Sequence, residues 1–79
     1  MGEFKVTAFW DPGASVWVAE SEEVPGLVTE ADTVEQLVSK LRVMVPELLE
    51  ANGVLGADVD DVPIRLIAER AVHAPRKAA

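Results

Sequence analysis

The 79-residue chain contains no cysteine and a single histidine, His73. These absences exclude disulfide cross-links and the Cys/His clusters that bind structural zinc. A domain of this size buries only about 60% of the surface that its unfolded chain exposes, so its core alone gives marginal stability. Self-association is therefore expected as a second source of stability. The lack of cysteine is also typical of proteins in a reducing cytoplasm.

Long apolar runs are missing as well. No run in the sequence approaches the roughly 20 residues that a membrane-spanning helix needs. The first residues, Met1–Lys5, lack the basic start and apolar segment of a signal peptide. We therefore expect a cytoplasmic protein that does not contact a membrane.

Basic residues are few. Seven Lys and Arg residues stand against fourteen Asp and Glu residues, which gives a formal net charge of −7. Because binding to phosphates requires clustered Lys and Arg, we expect no direct nucleic-acid partner. The acidic balance suits a basic protein partner, although acidic surfaces also keep small proteins soluble.

Catalytic and metal-binding motifs are also absent from the sequence. It has no Gly-x-Ser-x-Gly elbow, no Gly-x-Gly-x-x-Gly and no P-loop. Asp58, Asp60 and Asp61 are not followed by the central Gly and late Glu of a calcium loop, so we interpret them as a solvated acidic loop. His73 has no partner at a recognisable spacing and is interpreted as a surface residue. We expect no metal, no cofactor and no enzymatic activity.

The first half of the chain alternates as a β-hairpin does. Residues 3–10 and 16–21 predict two strands, separated by the turn-forming segment Asp11–Ser15. A five-residue loop would place Phe9 opposite Trp17 and Trp10 opposite Val16. In strands, a slip of one residue moves every side chain to the other face, so this register decides which side chains are core.

Residues 24–37 change from the period of a strand to the period of a helix. The turn at Pro25-Gly26 is followed by a short strand, Leu27–Glu30, and the helix begins at Asp32 or Thr33, either of which can cap it. Pro46 predicts a kink, and Asn52-Gly53 predicts the end of the helix. Apolar residues at three- and four-residue steps form one stripe that must lie on a sheet: Val34, Leu37, Val38, Leu41, Met44, Val45, Leu48 and Leu49.

The last elements complete the topology. Residues 54–62 predict a loop, and Ile64–Ala68 predict a fourth strand that could begin at Val62. By the right-handed crossover rule, the helix returns the fourth strand parallel to the first. The predicted fold is α+β, a two-layer β-β-β-α-β arrangement with strand order 3-2-1-4 and one helix on one face. We expect a single domain over residues 1–72 and a C-terminal tail over residues 73–79.

The β-β-β-α-β order also occurs in the first half of ribonuclease-H-like folds. Those enzymes need convergent carboxylates that hold Mg²⁺. Asp11, Glu20 and Glu69 are the available carboxylates on strands and turns, and the sequence gives no reason for them to converge. Fold alone does not imply activity, so we do not expect a nuclease.

Four residues are predicted to form an interface on the sheet face away from the helix: Phe9, Trp17, Ala19 and Ile67. Large exposed aromatic side chains usually mark interfaces, so we expect a homodimer or a dimer of dimers at this patch. The alternative is a hairpin register that differs by one residue, in which case the rings belong to the core.

Residues 24–35, Val-Pro-Gly-Leu-Val-Thr-Glu-Ala-Asp-Thr-Val-Glu, resemble the signature of HicB-like antitoxins. In that family a Pro-Gly turn, a short strand and a Gly-Asp-Thr or similar triplet precede a Glu-rich helix start. Ala31-Asp32-Thr33 stands at the triplet, and Val16–Ala19 is similar to the family's aromatic-x-Ala strand. Trp10-Asp11-Pro12 and Pro46–Leu49 resemble a short, stand-alone branch that is known as a domain of unknown function.

The resemblance implies a partial ribonuclease-H-like topology and an antitoxin-type domain. Such domains associate as dimers or larger assemblies and neutralise a small, basic ribonuclease toxin. Typical members add a helix-turn-helix or ribbon-helix-helix DNA-binding domain after this module. About ten residues follow the last predicted strand here, too few for either, so operator binding is not expected of this sequence. The alternative is an oligomeric regulatory or ligand-binding domain without a toxin partner.

Overall fold

The computed structural model describes residues 2–56 and 58–77; Met1, Ala57, Ala78 and Ala79 lie outside them. The predicted loop over 54–62 is therefore described except at Ala57, and the predicted tail is followed as far as Lys77. The elements are β1 (Phe4–Asp11), β2 (Val16–Glu20), β3 (Val28–Ala31), α1 (Val34–Ala51) and β4 (Ile64–Glu69). The strand order is β3-β2-β1-β4, with β4 parallel to β1 and the other neighbours antiparallel. The predicted fold class and topology are confirmed.

The β1–β2 turn is one residue shorter than predicted. Asp11 belongs to β1 and lies opposite Val16, which leaves the four-residue loop Pro12–Ser15. The Asp11 Oδ1 atom accepts the backbone N–H groups of Gly13 (3.0 Å) and Ala14 (3.3 Å), so this side chain holds the turn together from the end of the strand. Ser15 completes the reversal with a positive φ of 55°.

The shorter loop changes the register of the hairpin. Trp10 lies opposite Trp17, and Ala8 lies opposite Ala19. The predicted register was wrong by one residue, because Asp11 acts as the last residue of a strand and the first acceptor of the turn. Directly opposed residues point to the same face of a sheet, so Trp17 and Ala19 lie on the helix-covered face together with Ala8.

The core lies between this face and α1. In the helix, Leu37, Leu41, Val45 and Leu49 are buried, which confirms the predicted apolar stripe. The sheet contributes small residues at the contact with the helix, which allow the two layers to approach closely. The buried sheet residues are Val6, Ala8, Ala19 and Ala31. The predicted pairing of Trp10 with Val16 would also have placed Val18 in this layer, but Val18 lies opposite Phe9 and points to the other face.

Both ends of α1 are capped by side chains. Thr33 is the N-cap, and its hydroxyl accepts the backbone N–H of Gln36 at 3.1 Å. At the C-terminus, the Asn52 side chain donates to the carbonyl of Leu48 at 2.8 Å, and Gly53 has the positive φ of 68° that such endings favour. The helix continues through Pro46 to Ala51, in agreement with the predicted end at Asn52-Gly53.

The segment between β2 and β3 closes one end of the core. Val24 and Leu27 are buried on either side of a turn in which the Leu27 N–H donates to the Val24 carbonyl at 3.2 Å. Pro25 and Gly26 occupy its central positions, and Gly26 has the positive φ of 78° that a type II turn requires. This turn sets the point at which β3 enters the sheet.

Where β2 ends, side-chain hydrogen bonds take the place of the backbone hydrogen bonds between β1 and β2. The Ser21 hydroxyl donates to the Lys5 carbonyl at 2.6 Å and accepts the N–H of Glu23 at 3.1 Å. Glu23 in turn accepts the backbone N–H of Lys5 on its carboxylate at 3.0 Å. The start of β1 therefore has both backbone groups bonded by side chains, which fastens it to the Val24–Leu27 turn.

Candidate interaction surface

The second face of the sheet carries no helix. We call it the open sheet face. Its side chains follow from the strand register and come from all four strands, including alternate residues of β1 and β4. They are Lys5, Thr7, Phe9, Asp11, Val16, Val18, Glu20, Val28, Glu30, Arg65, Ile67 and Glu69.

One row across the open sheet face combines apolar and acidic side chains. From β3 to β4 it reads Glu30, Val18, Phe9 and Glu69, each paired with the next. Phe9 remains 44% exposed. The row therefore presents an apolar centre between two carboxylates, which is the layout of an interface with a polar rim.

The neighbouring row has the reverse layout. It reads Val28, Glu20, Thr7 and Ile67, so its apolar groups lie at the two edges of the sheet. Val28 is 68% exposed and is one of the most exposed large apolar residues in the described chain. Taken with Phe9 and Val18 in the first row, these residues form an apolar band that crosses the sheet.

The charge of the open sheet face is predominantly negative. Four carboxylates stand on it, at Asp11, Glu20, Glu30 and Glu69, against the two cations Lys5 and Arg65. Arg65 is already paired with Glu3, with 2.8 Å between the guanidinium and carboxylate atoms. The surface is thus suited to a partner that offers apolar groups together with positive charge.

The two tryptophans lie on the helix-covered face and contact each other. The ring centroids of Trp10 and Trp17 are 5.7 Å apart, with the planes at 68°, an edge-to-face arrangement. The Arg70 guanidinium lies 4.0 Å from the centroid of the Trp10 ring, so it makes a cation–π contact there. Trp17 also packs against the buried core cluster.

The two edges of the sheet differ in protection. β3 and β4 are the edge strands. On β3, the Lys40 ammonium donates to the backbone carbonyl of Glu30, which occupies one backbone acceptor of this edge strand. No comparable side-chain bond to the β4 backbone is present among residues 2–56 and 58–77. The β4 edge is consequently the more open of the two.

The structure divides the four predicted interface residues. Phe9 and Ile67 lie on the open sheet face, as predicted. Trp17 and Ala19 were placed on that face incorrectly, and Ala19 is fully buried in the core. Val16, Val18 and Val28 are the apolar residues that sequence reasoning missed on this surface. The signal that would have found Val18 is the ability of Asp11 to bond its own turn, because this shortens the loop by one residue.

The remaining predicted sites do not come together as a centre. Within the described chain, no group of three His, Cys, Asp or Glu side chains could hold a metal ion. The core of the described residues contains no buried polar or charged side chain. Nor does any helix among them combine the length and apolarity that a membrane crossing requires. His73 and the three loop aspartates are exposed.

These features define a two-layer α+β domain with a mixed four-stranded sheet and one uncovered sheet face. A family described as a domain of unknown function, DUF1902, matches residues 3–77, and the chain belongs to this family. It is also similar to the crystal structure of the hypothetical protein TTHA1013 from the extremely thermophilic bacterium Thermus thermophilus. The identity is 51%, the TM-score is 0.70, and the match covers 95% of this chain and 100% of that one. No curated protein matches the chain.

Proposed function

We propose that this domain is a non-enzymatic protein-interaction module of the HicB-like antitoxin type. The observation that carries the proposal is the row Glu30, Val18, Phe9 and Glu69 on the open sheet face. An exposed aromatic ring beside an aliphatic side chain, between carboxylates, fits the chemistry of a basic protein partner. A small, basic ribonuclease toxin is the partner that the HicB-like resemblance suggests.

Binding of such a partner would combine two effects, the burial of apolar surface and electrostatic attraction. Burying Phe9 and the neighbouring valines removes apolar surface from water, which contributes about 25 cal/mol for each Å². The carboxylates at Glu20, Glu30 and Glu69 attract a positively charged surface and raise the rate of productive encounters. The association rate constant of the complex should therefore fall as the salt concentration rises, while its dissociation rate constant should change less.

The HicB-like assignment is supported by the residues that suggested it. The Pro25-Gly26 turn leads into β3, and Thr33 of the Ala31–Thr33 triplet caps α1. The sequence pattern therefore coincides with the junction between the sheet and the helix. The alternative function is a stand-alone oligomeric regulatory domain, for which the same open sheet face would serve contacts between copies.

A co-expression experiment would test the antitoxin function. The probe is a small basic protein encoded immediately beside this gene, expressed under separate control in a heterologous host. Wild-type chain should relieve the growth arrest that the probe causes, and Phe9→Ser should relieve it at least about tenfold less efficiently, the equivalent of about 1.4 kcal/mol.

The matched control is Val43→Ser. Val43 is an exposed valine on α1, 58% accessible, on the opposite side of the sheet. It should behave as wild type. Equal relief by all three chains would move the contact away from the open sheet face. A neighbouring basic protein that neither binds nor arrests growth would remove the antitoxin function in favour of the oligomeric alternative.

A further inference from the structure

We propose that the basic C-terminal segment of each chain docks on the open sheet face of a second copy, so that two chains exchange segments about a two-fold axis. We call the segment Ala71–Lys77 the arm. It follows β4 after Arg70, forms neither helix nor strand, and every residue in it is exposed. Val72 is 72% exposed, so its apolar side chain is free to contact another surface.

The described molecule is elongated rather than round. Its principal extents are 63 × 23 × 19 Å, although the strands of the sheet have at most eight residues. Eight residues of strand span about 27 Å. The arm, seven residues long, can add about 23 Å more when extended. The long dimension is thus consistent with an arm that continues away from the sheet instead of folding onto it.

Charge is segregated between the arm and the rest of the chain. All fourteen acidic residues precede residue 70, whereas the residues from Arg70 onward include Arg76 and Lys77 and no carboxylate side chain. The open sheet face carries the opposite charge in the four carboxylates named above. Arm and face are complementary in charge, and both offer apolar groups, Val72 on the arm and Phe9 on the face.

The arm is not built to reach the face of its own chain. The Arg70–Trp10 contact holds the residue that precedes the arm against the helix-covered side of the sheet. A return to the other side would need a reversal, but residues 71–77 contain no Gly, Asn or Asp. Pro75 also favours extended backbone at Ala74. A second copy supplies the face without a reversal, and a two-fold axis uses both arms and both faces at once.

The arm is long enough for this role. Four strands at about 4.8 Å spacing have a width of about 15–19 Å, which an extended segment of seven residues can cross. The inference does not rest on the antitoxin proposal, since it concerns two copies of this chain alone. A basic partner and the arm would compete for one surface, because both offer the same chemistry.

A charge-swap experiment tests the exchange. The face variant is Glu20→Lys/Glu30→Lys, and the arm variant is Arg76→Glu/Lys77→Glu. In a dimer of either variant, the arm and the face carry the same charge and repel each other. The dimer dissociation constant measured by sedimentation equilibrium should therefore be about tenfold or more above that of wild type. An equimolar mixture of the two restores attraction between the variant arm and the variant face. Native mass spectrometry should therefore show that the mixed dimer forms in preference to either homodimer.

Three controls accompany the swap. Far-UV circular dichroism checks that each variant is folded. Glu35→Lys/Glu47→Lys places the same charge change on exposed residues of α1 and should leave the wild-type constant unchanged. A chain that ends at Arg70 retains the Trp10 contact but has no arm, and it should sediment as a monomer at concentrations where the full chain is dimeric.

Several outcomes would overturn the exchange. One is a monomeric wild-type chain at about 100 μM, a concentration at which even weak association is visible. A dimer that survives removal of the arm would also overturn it, as would failure of the mixture to restore association. None of these results would decide whether a basic partner binds the face, because no partner is present in the experiment.

Discussion

Trp10 lies directly opposite Trp17 across β1 and β2, and their rings meet edge to face with centroids 5.7 Å apart. The pair occupies the helix-covered side of the sheet, and the Arg70 guanidinium borders its Trp10 ring. Trp17 is therefore a packing residue, whereas Phe9, one residue before Trp10, points to the open sheet face. Adjacent aromatic positions on the same strand thus have different roles.

Substitutions at Trp17 and Phe9 should separate stability from association. Trp17→Ser removes a ring that packs against the core cluster and should lower the free energy of unfolding by about 2 kcal/mol or more. Phe9→Ser should change the unfolding free energy by less than about 1 kcal/mol, because its ring is partly exposed. Urea denaturation measures both. The same Phe9 variant should weaken any dimer seen by sedimentation, and a large loss of stability at Phe9 would contradict its placement.

Leu41 tests the contact between the helix and the sheet. Its side chain is 2% exposed and belongs to the buried cluster. Leu41→Ala should destabilise the domain by about 2–5 kcal/mol, because it removes buried methyl groups and leaves a cavity. Val43→Ala on the exposed side of the same helix is the control and should have little effect. A loss below about half a kcal/mol at Leu41 would be incompatible with this packing.

Thr33 tests the start of the helix. Thr33→Ala removes the acceptor of the Gln36 N–H and should cost about 1 kcal/mol. Thr33→Ser keeps a hydroxyl in the same place and should retain most of the stability. Thermal unfolding of the three chains gives the comparison. If Asp32→Ala proved more damaging than Thr33→Ala, the cap would have to be reassigned.

Asp11 tests the turn that sets the hairpin register. Asp11→Ala removes the oxygen that accepts two backbone N–H groups and should lower the unfolding free energy by about 1 kcal/mol. Asp11→Asn retains a side-chain oxygen and should be closer to wild type. Chemical denaturation resolves this difference. Identical stability of the alanine and asparagine variants would show that the two bonds do not hold the turn.

We predict that this chain does not bind duplex DNA in a sequence-dependent way. With a formal charge of −7, this chain should show no sequence-dependent binding to a DNA duplex at physiological salt. Gel-shift titration at about 150 mM salt, where the screening length is about 8 Å, is the measurement. Submicromolar, sequence-dependent binding would contradict the prediction and would make the basic arm the first segment to test as the DNA contact.

The sequence was sufficient for the fold but not for the composition of the surface. The apolar stripe from Leu37 to Leu49 and the alternation in β1 determine which layer each element joins, because these periodicities are set by burial. Strand order follows from the handedness of the crossover. These features are distributed over many residues, so no single substitution would have hidden them.

The hairpin register depended instead on one side chain. The assignment of Trp17, Val18 and Ala19 to a face changes when Asp11 belongs to β1 and not to the loop. A turn held by an Asx-type bond and a turn held by backbone bonds contain the same residue types, so composition does not distinguish them. The sequence analysis recognised only a C-terminal tail over residues 73–79, because the contact between Arg70 and Trp10 that precedes it joins residues 60 positions apart and leaves no local sequence pattern.

The parallel pairing of β1 with β4 has a consequence for synthesis and folding. Glu3 and Arg65, whose side chains join the start of β1 to β4, are 62 residues apart in the chain. Contacts of such separation form slowly, because a long loop must close before they contribute. On the ribosome, one side of β1 therefore stays unpaired until Ile64–Glu69 has been made. The nascent β1–β2–β3 sheet is the state most exposed to edge-to-edge association with other chains.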